Sequence, residues 1–107
     1  MNDPIATQDL IFEKSSNGKF PVSIKIGTPY EVKDGNGTDF ARCPVLIKGL
    51  DKKTHDVAGD NTFQALTLAI AHVRNMLQYF VEDGGKIYYK DGITEFDFSS
   101  YFSQCKH

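Results

Sequence analysis

The chain has no tryptophan, only two cysteines, and no block of like charge. Each shortage removes a class of protein. Cys43 and Cys105 show no CxxC spacing, so neither a disulfide scaffold nor a cysteine-rich zinc site is expected, and both read as free thiols. Twelve basic and fourteen acidic residues, scattered to a net charge of −2, provide no concentrated basic surface. Nucleic acid and anionic membranes are therefore not expected partners, since both require such a surface to release counterions. No window approaches the ~18 apolar residues of a membrane span. The first twenty residues carry Asp3, Asp9 and Glu13 without a long apolar run, unlike a secretory signal. A cytoplasmic protein is the resulting expectation. No phosphate-cradling GxxxxGK[ST] pattern, internal repeat or low-complexity stretch occurs. A length of 107 residues fits a single domain, 1–107, with residues 1–8 and 103–107 expected to be mobile.

What is present begins with a helix, predicted over about 61–83. Asn61 is suited to accept a hydrogen bond from the Gln64 N–H while the Gln64 side chain reaches back to the Asn61 N–H, with Asp60 adding negative charge at the N-terminus. Phe63, Leu66, Ile70, Val73, Leu77 and Phe80 recur at helical spacing and form the predicted core stripe. Asp83-Gly84-Gly85 closes the helix, because glycine adopts the left-handed turn at least cost. Leu66→Ala and Leu77→Ala are both expected to cost about 2–5 kcal/mol.

The rest of the chain reads as strands. Asp9–Glu13 is weakly patterned and is followed by the turn Ser15-Ser16-Asn17-Gly18. Lys19–Gly27 points Phe20, Val22, Ile24 and Ile26 one way and Lys19, Ser23 and Lys25 the other. Asp34-Gly35-Asn36-Gly37 turns the chain into a third strand, Asp39–Leu50, with Ala41, Cys43, Val45 and Ile47 inward. Pro44 marks a bulge or a change of strand partner in it. Thr54–Gly59 leads into the helix cap. After the helix come Lys86–Lys90, an Asp91-Gly92 hairpin turn, and a strand alternating around Phe96 and Phe98. The predicted class is α+β: an antiparallel sheet of about five to six strands with one long helix packed across one face.

Several constellations invite a chemical reading. Asp34, Asn36, Thr38 and Asp39 imitate the start of a calcium loop, but the sixth and twelfth positions are Asp39 and Val45 instead of glycine and glutamate. A plain turn is the better reading. His55, Asp56 and Asp60 lie together near the helix start and form a candidate ligand or general-base site. With no second histidine or cysteine at ligand spacing, no metal and no cofactor is predicted from them. Cys43 paired with His55 or His72 as nucleophile and base fails on its own terms, since a core-facing thiol is raised in pKa. Lys19, Lys25, Arg42 and Lys48 make a strip on the outer sheet face, with Phe40 and Tyr88 as candidate stacking rings, and a solvated face is favoured.

A second helix stripe, Leu68, His72, Asn75 and Tyr79, lies nearly opposite the core stripe at about 100° per residue. Apolar residues there suggest a contact with the C-terminal segment or a second molecule, although single exposed leucines are also ordinary. Tyr88, Tyr89, Phe96, Phe98, Tyr101 and Phe102 concentrate aromatics in the last quarter, where they either complete the core or, with Tyr101 and Phe102, belong to an interface.

The strand Arg42-Cys43-Pro44-Val45-Leu46-Ile47-Lys48-Gly49-Leu50, followed by Asp60-Asn61-Thr62-Phe63-Gln64-Ala65-Leu66 and Leu68-Ala69-Ile70, resembles a small bacterial family of unknown function over roughly residues 10–90. The resemblance implies kinship and no activity. The motif residues read as structure: Gln64 caps, Ala65 and Ala69 admit close approach, and Gly84-Gly85 turns. No catalytic residue is predicted. The favoured expectation is a non-catalytic module that binds a protein, as an immunity or antitoxin-like partner or as a homo-oligomer. The alternative is a small-molecule or anion binder, or an enzyme, with a pocket near His55 and the helix N-terminus.

Overall fold

In a computed structural model of the protein, describing residues 3–16, 18–33, 35 and 39–102, two long strands form the first hairpin: β1 (Ala6–Lys14) and β2 (Gly18–Ile26). Their register sets Leu10 opposite Val22 and Phe12 opposite Phe20. Side chains alternate every second residue, so this pairing turns one apolar row of each strand to the same side. Three further strands follow, β3 (Tyr30–Lys33), β4 (Asp39–Lys48) and β5 (His55–Gly59), and after the helix comes β6 (Lys86–Tyr89). All pairings are antiparallel. The result is a six-stranded sheet in an α+β domain.

β4 is the hub. Ala41, Cys43, Val45 and Ile47 are the inward set the alternation predicts, and each is fully buried. β2 pairs with residues 45–48 of β4, β3 with 39–42, and β5 with 41–45. Since β5 overlaps both others and a strand has two edges, β2 and β3 share one edge and β5 takes the other. Pro44 sits where that shared edge passes from β2 to β3, and its carbonyl accepts from the Gly27 N–H at 2.9 Å. A residue with no N–H is tolerated where the ladder is handed over. The alternation did not predict β3, whose Tyr-Glu-Val-Lys sequence buries none of its residues.

The helix α1 (Thr62–Glu82) matches its prediction closely. Asn61 Oδ1 accepts from the Gln64 N–H at 2.8 Å, whereas Gln64 Oε1 takes the Asp60 N–H at 2.6 Å instead of that of Asn61. At the far end Gly84, at φ 94°, and Gly85 donate to the carbonyls of Val81 and Phe80, which is the paired C-terminal closure expected of such a glycine pair.

The buried face of α1 differs from the predicted stripe. Ala65, Ala69, Val73, Leu77 and Phe80 are buried, but Phe63 is 75% exposed and Ile70 41%. On a wheel of about 100° per residue, the contact arc is rotated by roughly 40–50° toward the alanines. Small side chains let the helix backbone approach β4 and β5, and the larger residues are displaced to the flank. Leu77 is 1% exposed whereas Leu66 is only partly buried. The two truncations should therefore separate in urea denaturation: Leu77→Ala about 3–5 kcal/mol, Leu66→Ala about 2 or less.

The C-terminal hairpin is also shorter than predicted. Asp91 Oδ1 accepts from the N–H groups of Ile93 and Thr94, and the returning chain bonds Phe96 N–H to the Ile87 carbonyl at 2.9 Å. Then Asp97 accepts from the Ser99 N–H and from the hydroxyls of Ser99 and Ser100, capping a short helix, α2 (Phe98–Tyr101). These bonds hold the Asp97 carboxyl below its ordinary pKa. Local capping overrides the Phe96/Phe98 alternation.

Candidate functional site

The residues predicted for an interface fall on two sides of α1. Leu68 (43% exposed), His72, Asn75 and Tyr79 (70% exposed) form the flank next to β5. Tyr101 and Phe102 lie on the opposite flank, beside Ile70. The structure thus brings the first four together and separates the last two from them.

On the Tyr101 side the helix leaves part of the inner sheet face uncovered. A cleft of about 250 Å³ opens there, floored by Ile24 and Ile26 of β2 and walled by Ile70, Val73 and Leu77 of α1. Phe96, Tyr101 and Phe102 close its other wall. The Tyr101 hydroxyl donates to Gln8 Oε1 at 2.9 Å, which pins α2 over β1. The Phe96 and Tyr101 rings stand 4.7 Å apart, so this wall is an aromatic stack as well as a tether. Of the aromatics of the last quarter, Phe96 is buried core, while Tyr101 stays 47% exposed at the cleft mouth. The sequence does not reveal the cleft because helical spacing assigns Ile70 to the core.

The trio His55, Asp56 and Asp60 is not assembled. Adjacent strand residues point to opposite faces, so His55, paired with inward Val45, turns toward α1, while Asp56 pairs with Pro44 on the outer side. Asp60 supplies its backbone N–H to Gln64. His55 meets other residues instead. Its Nε2 is 3.4 Å from Asp51 Oδ2, and its ring centroid is 5.5 Å from that of His72. Asp51 Oδ2 and His72 Nε2 are both shut off from solvent without a hydrogen-bond partner. Among the described residues no three His, Cys, Asp or Glu side chains stand, as placed, around a common metal position. At the helix N-terminus, Asn61 already occupies the Gln64 N–H, one of the donors an anion would need.

Cys43 is fully buried, its Sγ 3.5 Å from the Gly27 carbonyl, and burial, followed by the charge of Asp56, pushes its thiol up in pKa. This is the inert environment anticipated for it. Lys19, Lys25, Arg42 and Lys48 do share the outer sheet face, interleaved with Asp9 and Glu13. The candidate stacking rings there carry cations of their own: Lys19 Nζ lies 4.9 Å from the centre of Tyr88, and Arg42 5.3 Å from that of Phe40. Asp34, Asn36 and Thr38 of the calcium-like loop, and Cys105 with the tail 103–107, lie outside the described residues. No helix among the described residues is long and apolar enough to cross a membrane.

An antiparallel sheet carrying one long helix, with a cleft beside it, defines a small single-domain α+β protein. The chain belongs to the family described as a domain of unknown function, DUF6968, whose family model matches residues 6–99. Neither the search of curated proteins nor that of solved structures finds a match.

Proposed function

We propose that the protein is a non-catalytic binding module that takes an apolar segment of a protein partner into the cleft between α1 and α2. The carrying observation is exposed apolar surface at an open cleft: Ile70 and Tyr101, 41% and 47% exposed, line a cleft whose floor is the core row of β2. An open apolar groove with two large, partly exposed side chains on its walls suits the helix-in-groove mode of recognition. A partner inserting one or two large side chains would bury Ile70 and Tyr101 and fill the space. In this reading the chain is itself the inhibitory, immunity- or antitoxin-like member of the pair, with a second copy of this chain as the other source of such a segment. A bacterial, cytoplasmic setting is part of the proposal, supported by the unpaired thiol of Cys43.

Light scattering and pull-down from native lysate, run in parallel on the wild type and on Ile70→Glu, test it. Ile70 is 41% exposed, so the variant should keep its melting temperature. The expected result is a dimer or a retained partner whose affinity falls about thirtyfold or more in the variant, as for a buried anchor residue. A monomeric wild type that retains nothing, or retention indifferent to the charge at residue 70, overturns the proposal.

A further inference from the structure

We propose that two copies of this chain join edge to edge through β5, extending the sheet across a twofold axis and setting the outer flanks of their helices side by side. β5 lies along one edge of β4, and no described strand pairs with its other edge. Backbone groups of a strand point alternately to its two edges. The Pro44 carbonyl accepts from Gly27 on the edge of β4 that β2 and β3 occupy, so Cys43 and Val45 present their groups to β5. Their partners Val57 and His55 are thereby used, which leaves the N–H and C=O of Asp56 and Ala58 facing off the sheet. Both residues are exposed, and β5 has neither a proline nor a lysine to guard its edge.

A second β5, antiparallel and centred on Val57, sets Asp56 opposite Ala58 of the other copy, and four N–H···O=C bonds close. The pairing is self-complementary, as a twofold contact must be. Charge fits the same register. On the outer face Ala58 stands beside Arg42 of β4. The row across the joint therefore reads Asp56, the second copy's Ala58, the second copy's Arg42, and recurs in reverse. Two strand spacings of about 4.8 Å separate the aspartate from the arginine. Their side chains span that distance over the intervening methyl group, so two ion pairs straddle the joint.

The helix supplies an independent fit. α1 runs back along β5, since Gly59 abuts Ala65 and His55 abuts His72. Leu68 and His72 project at roughly a right angle to the buried arc, sideways over the free edge. α1 packs on both β4 and β5. A helix seated between them lies about 10 Å from its symmetry mate once β5 meets β5. That is the ordinary packing distance of two helices, about 8–10 Å. Leu68, 43% exposed, then falls beside the twofold axis and meets its counterpart. The dimer thus uses the outer stripe that the apolar cleft leaves free.

Sedimentation equilibrium of the full chain is the test. The wild type should reach twice the 12.0 kDa of the chain in the micromolar range. Ala58→Pro removes only an N–H that faces solvent in the single copy, so far-UV dichroism should be unchanged while dimer affinity falls at least about tenfold. Arg42→Asp and Asp56→Arg should each weaken the dimer about tenfold, and the double exchange should restore it to within about threefold. Ile70→Glu, on the cleft side, should leave it unchanged, so failure here and failure of cleft binding are read separately. A wild type that stays monomeric at about 100 μM overturns the proposal. So does a dimer indifferent to Ala58→Pro and to both charge reversals, or one broken by Ile70→Glu alone.

Discussion

Replacing Gly59 with alanine should lower stability by about 3 kcal/mol and the melting temperature by roughly 10 °C or more. A Cβ at this position would lie 2.5 Å from the backbone N of Ala65, 2.9 Å from its Cα and 3.0 Å from the carbonyl carbon of Gln64. All three are main-chain atoms of the first turn of α1, so no side-chain rotation relieves the overlap. The glycine has no positive φ, and its conformational freedom plays no part; the cost is steric. To admit one methyl group, β5 and the capped start of the helix must separate, opening the layer that Ala65 and Ala69 keep tight. Interiors at crystal-like density do not absorb such a shift locally. Gly84→Ala is the control. Its Cβ would meet nothing within 4 Å, but its φ of 94° is strained for alanine. About 1–2 kcal/mol is expected there from backbone conformation alone. Calorimetry on the two variants distinguishes them, and an equal or smaller loss at Gly59 would mean that the strand–helix seam is looser than the geometry implies.

The same seam explains how far the sequence could be read. Helix limits were legible because they are local: Asn61 with Gln64 at one end and Gly84-Gly85 at the other carry their own chemistry. The rotation of the helix about its axis was not. A hydrophobic stripe counts Phe63 and Ile70 as core and passes over Ala65 and Ala69, yet closeness of approach is set by the smallest side chains. The contact face therefore follows the alanines. β3 escaped notice because it is stabilised by ladder bonds to β4 and contributes no buried residue. The strand expected around Phe98 lost to a cap at Asp97, a competition between local bonds that alternation cannot register.

The cleft and the Asp51, His55 and His72 cluster differ in legibility for a related reason. Ile24 and Ile26 belong to an obvious strand, and only the helix rotation reveals that they are left partly uncovered. Asp51, His55 and His72 are spread over three elements, so their meeting is a product of tertiary structure. The sequence groups His55 with Asp56, which points to the opposite face of β5. Helical spacing puts His72 on an outer stripe, four residues from Leu68, and that stripe is the flank beside β5. One angular correction to the helix thus relocates both features at once, exposing the cleft on one side and bringing the two imidazoles together on the other.

Phe12 and Phe63 should respond to alanine in opposite ways, and the contrast measures that correction directly. Phe12 is completely buried, 4.5 Å from the Phe80 ring and 6.1 Å from the Phe20 ring, at the point where the C-terminal half of α1 meets β1 and β2. Lys14 pairs with Asp83 just beyond it, tying the end of α1 to β1. Truncation removes a large ring from a three-ring cluster, with an expected loss of about 3–5 kcal/mol. A domain of this size holds only about 5–15 kcal/mol, so the variant should be close to unfolding at body temperature. Phe63, the first residue of the predicted core stripe, should change stability by no more than about 0.5 kcal/mol, because three-quarters of its surface already faces water. Urea denaturation with an unchanged m-value reads both. A large loss at Phe63 would restore the apolar stripe as the buried face and close the cleft on which the proposed partner binding rests. A small loss at Phe12 would mean that the helix does not seat on the first hairpin at all.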